Sequence, residues 1–134
     1  MYSRVEREIA LEILQKPDMS AGDIKALGGY LFETGLSSRE EAELLVMADR
    51  SRNAHVEGWR EFFVESITDF LVWQSRPTGI ITESDADWLL ACIGDKPSIT
   101  GRALLFRLLA EAHELPSRLV EAGLRLNQRK HERF

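Results

Sequence analysis

Trp59, Phe62, Phe63, Ile67, Phe70 and Leu71 recur at the spacing of one helix face, and Val64, Val72 and Trp73 widen it. A helix this apolar has to be buried by other elements. Read as a helix over 56–74, the segment constrains the fold more than any other part of the chain, because it predicts a hydrophobic centre around which shorter helices pack. Glu65 and Asp69 interrupt it, so it falls short of the roughly 18 continuous apolar residues that a membrane span requires.

The flanking sequence reads as helices separated by start and stop signals. Val5, Ile9 and Ile13 form a stripe that Leu11 and Leu14 widen, and Pro17 stops it. Ser20 with Asp23 resembles a capping box ahead of Ile24, Leu27 and Leu31. Gly28-Gly29 in that helix suggests a close helix approach, and Gly35 fits a C-terminal cap. Ser37 and Ser38, with Glu40 and Glu41, open a third helix carried by Ala42, Leu45 and Val46. After the break Arg76-Pro77-Thr78-Gly79, Thr82 with Asp85 caps a helix faced by Ala86, Leu89, Leu90 and Ile93 and closed by Gly94. Thr100 is the expected cap of the next helix, with Leu104, Leu105, Leu108 and Leu109. Pro116 fits the first turn of the last one, packed by Leu119, Val120 and Leu124. No alternating β-branched run competes. The expected fold class is therefore all-α: a compact bundle of about six or seven short helices, forming a single helical domain over 1–126.

The segments 19–46 and 81–109 share a pattern: an apolar residue, a hydroxyl cap, an aspartate three residues on, a loop and a second apolar helix. The offset is 62 residues at the start and 63 by the second helix. The pattern is consistent with two related helix-loop-helix units around the central hydrophobic helix. The loops Glu33-Thr34-Gly35-Leu36-Ser37-Ser38-Arg39-Glu40-Glu41 and Asp95-Lys96-Pro97-Ser98-Ile99-Thr100 resemble those of tellurite-resistance TerB-like helical domains, and the whole is similar to small helical proteins of α-proteobacteria. Thr34 stands where the family has aspartate, and the second loop lacks the family's glycine. The resemblance implies a stress-related setting and protein interaction instead of a defined reaction.

Glu57, Glu61, Glu65 and Asp69 are spaced by four, which places them side by side on one helix face. Two readings follow. One is a solvated face; the other is a divalent-metal set of Glu61, Glu65 and Asp69, as in carboxylate bundles. The Glu-x-x-His motif of such bundles is missing, and His55, His113 and His131 are scattered. The loops beginning at Glu33 and Asp95 fail as calcium loops, because their twelfth positions are Leu44 and Phe106. No nucleophile elbow, phosphate-cradling glycine loop or zinc-protease motif occurs. The expectation is a chain that is not an enzyme and implies no cofactor.

The formal net charge is −5, which argues against general nucleic-acid binding. The last ten residues, with Arg125, Arg129, Lys130 and Arg133 against Glu132, sum to +3 and leave −8 on the body. Residues 127–134 read as a basic, flexible tail, and a tail resting on another copy's acidic face would give a weak homodimer. The single cysteine, Cys92, and a charged beginning at Met1 to Arg7 lead to the expectation of a cytoplasmic protein without a membrane partner. Tyr30, Phe32, Trp73 and Trp88 stand partly off the expected core faces, as interface aromatics do. The leading expectation is a helical interaction module with an unidentified protein partner; the alternative is a small metal-binding protein.

Overall fold

The computed structural model describes residues 4–16, 18–31, 35–36, 38–50, 56–74, 77–94 and 97–132. Pro17, Phe32, Thr34, Ser37 and Arg76 lie outside them, as does the side chain of Tyr30. Among the described residues the chain is all-helical. The elements are α1 (Arg4–Leu14), α2 (Ala21–Leu31), α3 (Arg39–Arg50), α4 (Trp59–Thr68), a π-helix (Asp69–Gln74), α5 (Glu83–Ile93), α6 (Ile99–Glu111) and α7 (Ser117–Glu132). The chain divides into two compact units, Met1–Phe70 and Leu71–Phe134.

In the first unit α1 packs on α2 and α3, and α4 packs on α2 and α3. The cap before α2 forms in both directions: Asp23 N–H donates to Ser20 Oγ at 3.1 Å, and Ser20 N–H donates to an Asp23 carboxylate oxygen at 3.0 Å. Lys16 Nζ reaches the same carboxylate at 2.9 Å. The Ser20 amide, and then Lys16, hold the Asp23 carboxyl below its ordinary value of 3.8. A carboxyl depressed by folding stabilises the fold above the unfolded value and loses that contribution as pH falls through the folded one. The destabilisation caused by Asp23→Asn should therefore be constant above pH 3.8 and shrink below it, as read by thermal melts across the acid range. A variant gap that stays constant to low pH would show that the cap is not charge-assisted.

Trp59 is the largest fully buried side chain, and its Nε1–H donates to Asp49 Oδ1 at 3.0 Å. The rings of Phe62 and Phe63 tilt against it, with centroids 5.7 and 5.9 Å away. The helix begins at Trp59 and not near 56, because Gly58 at φ 88 turns the chain into it. The core face of α1 is also displaced from the expected stripe. Ala10 and Leu14 are buried, whereas Ile9 is exposed. Gly28 and Gly29 permit no close approach, since a Cβ on either would meet open space.

The fourth helical run shows a regularity in burial: Phe63 with Val64, Ile67 with Thr68, and Leu71 with Val72 are all buried. After Thr68 the backbone widens into the π-helix. The Thr68 hydroxyl, at the junction, is buried without a hydrogen-bond partner among the described residues, and nothing in the structure explains it.

In the second unit α7 packs on α5 and α6. Thr82 caps α5 by accepting from Asp85 N–H at 3.1 Å, and Gly94 closes it. The cap of α6 is Ser98, which accepts from Gly101 N–H at 3.0 Å. Thr100, the expected cap, is instead buried inside the first turn. Ser98 matches Ser38, which caps α3 by accepting from Glu41 N–H at 3.2 Å. Measured from cap to cap, the repeat keeps its 62-residue offset at Ser20 and Thr82 but narrows to 60 at Ser38 and Ser98. The apolar residues before the first caps, Met19 and Ile81, are both buried.

The loops on either side of α5 and α6 are stitched at Gly79. Its N–H donates to the Val72 carbonyl at 2.6 Å, and its carbonyl accepts from His113 and Glu114 N–H at 2.7 and 3.2 Å. Gly79 has φ +83, and a Cβ there would stand 3.3 Å from the His113 ring, so both conformation and space call for glycine. Finally, α7 continues as backbone to Glu132, across most of the segment read as a tail. Gln128, Arg129, Lys130 and Glu132 are good helix formers, and propagating an existing helix costs little.

Candidate functional site

The carboxylates of the fourth helical run face outward: Glu61, Glu65 and Asp69 are exposed, opposite the buried residues of the same run, and Glu57 is exposed in the turn before it. Among the described residues no group of three or more His, Cys, Asp or Glu side chains is placed to hold a metal ion. The spacing that makes Glu61, Glu65 and Asp69 neighbours thus spreads them along a solvated face without converging them on a point.

The expected interface aromatics are dispersed as well. Phe32 and the Tyr30 side chain lie outside the described residues. Trp73 is exposed, with its ring edge-on to His113 at 6.1 Å. Trp88 and Cys92 are half-buried on α5. Of the loop that resembles TerB-like domains, Gly35 has φ 62 and Leu36 is buried ahead of the Ser38 cap.

The second unit instead presents a face that the sequence pattern assigned to the core. Val120 and Leu124, expected to pack α7, are 41% and 58% exposed, as is Phe106 at 41%. Over 117–126 of α7, Leu119, Ala122, Gly123 and Leu126 are the buried residues. Gly123 explains why Phe106 joins the exposed pair. A Cβ there would stand 2.5 Å from Leu109 Cδ1 and 4.0 Å from Phe106 Cε1. The missing side chain leaves room for the Leu109 tip against α7 and places the Phe106 ring edge near Gly123, on the helix that carries Val120 and Leu124 four residues apart. Ile99, two turns before Phe106 on α6, is 71% exposed. Beyond the apolar residues, α7 carries exposed Arg125 and, along the sequence, Arg129 and Lys130.

The N-terminal end of α7 is fixed by charge. Arg118 pairs with Asp87 and Glu83 of α5 and also donates to the Glu83 carbonyl at 3.2 Å. Asp87 foremost, and then the Glu83 charge, raise the guanidinium above its ordinary value. Exposed pairs of this kind contribute little stability, but they fix which way α7 turns its outer face.

The side chains gathered here are chemically plain. Among the described residues the face has apolar area and a cation, Arg125. Compared with protein-family models, curated proteins and solved structures, the chain matches none.

Proposed function

We propose that the chain is a non-enzymatic helical interaction module, and that the α6–α7 face takes a partner protein's amphipathic helix with an acidic flank. The observation that supports this most directly is the exposure of Phe106, Val120 and Leu124 around Gly123. Contiguous apolar side chains in water mark interaction sites more often than scattered ones do. Helix-in-groove recognition uses anchors of this size and spacing. The cations of α7 select an acidic flank on the incoming helix, because like charges across a rim are disfavoured. The resemblance to TerB-like domains rests on the loop residues alone and suggests a stress-related setting for the partner.

A photo-crosslinker at Leu124, with a control at exposed Lys25 of α2, tests the reading in cells. The expected product is one partner, joined through an acidic amphipathic helix and lost in Val120→Ser/Leu124→Ser. A crosslink to a second copy would make the module a homodimer. Capture no different from that at Lys25 would overturn the proposal.

A further inference from the structure

On the other flank of α7, the second unit has an open cleft of about 280 Å³. Leu90 and Ile93 of α5, Pro97, Leu105 of α6, and Ala122 and Leu126 of α7 line it, with Gly94 and Arg125 completing the wall. The cavity accounts for a departure from the expected core. Leu90 and Ile93 have the helical spacing of core residues, yet both are only half-buried, because this open space lies beside them. Opposite them α7 offers Ala122, which is too small to fill the gap.

The side chains of the wall are apolar apart from Arg125, while backbone groups add polar surface to it. Gly94 N–H already donates to the Leu90 carbonyl at 2.9 Å. The Leu126 carbonyl already accepts from Arg102 Nη2 at 3.3 Å. Arg125 is the only charged side chain among the described residues of the lining, and it is exposed at the rim. Along the leucine and isoleucine side chains water finds few partners, so an apolar chain displaces it favourably. A guanidinium matches a carboxylate through parallel hydrogen bonds.

We infer that this cavity binds a medium-chain carboxylate, its chain between Leu90, Ile93, Leu105 and Leu126 and its carboxylate on Arg125. A volume of this size suits a chain of about eight carbons. The inference shares Arg125 with the α6–α7 docking face but none of that face's apolar residues.

Methyl-detected NMR titration of the full chain with sodium octanoate tests it, with octylamine as the matched cation. Saturable shifts at Leu90, Ile93, Leu105 and Leu126 are expected with octanoate and not with octylamine. Arg125→Gln should weaken octanoate about fivefold and abolish the preference, and Arg125→Lys should restore part of it. Ala122→Leu, which fills the slot, should remove binding; if that variant does not fold, the comparison of the two probes decides. Equal shifts with both probes, shifts confined to other residues, or no saturation would each overturn the assignment.

Discussion

Phe63→Ala should destabilise the first unit by about 3–5 kcal/mol and Ile67→Ala by about 2–5 kcal/mol. Both side chains are almost entirely buried, with Phe63 against the Trp59 ring, so truncation loses the transfer energy of the removed carbons and leaves a cavity. Trp59 lies in the first unit and Trp73 and Trp88 in the second. A Trp73→Phe/Trp88→Phe background therefore leaves Trp59 fluorescence as a reporter of the first unit during denaturation. Losses below about 1 kcal/mol for both variants would show that α4 does not form the centre of its unit.

Asp49→Ala should cost about 1.5–3 kcal/mol, the range for a hydrogen bond to a charged group. It strands the Trp59 Nε1–H, which has no access to water because Trp59 is wholly buried. Trp59→Phe removes the donor as well. In a double-mutant cycle, Asp49→Ala should cost clearly less in the Trp59→Phe background than in the native one. Equal costs in the two backgrounds would mean that the 3.0 Å contact contributes nothing net.

What was legible in the sequence follows from how local each signal is. The caps at Ser20 and Thr82 could be read because each hydroxyl accepts from the backbone N–H of the aspartate three residues on, within one turn, and at Ser20 the aspartate carboxylate accepts in return. Ser98 and Thr100 defeat the same rule. Both are hydroxyls two residues apart, and the choice goes to Ser98, leaving Thr100 buried in the first turn. The outer face of α7 was misread for a different reason. Leu119, Val120 and Leu124 lie on a broad apolar arc, and periodicity does not say which part of the arc another helix will cover. The neighbouring helices cover Leu119, Ala122 and Gly123, where Leu109 of α6 packs, and leave Val120 and Leu124 exposed. The cavity was beyond any local rule, since its walls come from three helices and a loop. The acid series Glu57, Glu61, Glu65 and Asp69 was visible as a face, but convergence on a metal depends on neighbours that spacing alone cannot supply.

The π-helix has an implication for length variation. Buried pairs at 63–64, 67–68 and 71–72 repeat every four residues, whereas an α-helix of about 3.6 residues per turn keeps one side inward by alternating steps of four and three. The run therefore carries one residue more than an α-helix presenting the same side would need, and the wide i→i+5 turn over Asp69–Gln74 is where that residue is absorbed. Excising one residue from this segment would return it to ordinary α-helical closure with both flanks still inward, in the pattern 63, 67, 70. The same excision inside α5 or α6 would swing everything beyond it about 100° around the helix axis. A single-residue deletion in this chain should therefore be tolerated at the π segment, in the middle of its most hydrophobic run, where a helix ordinarily tolerates one least.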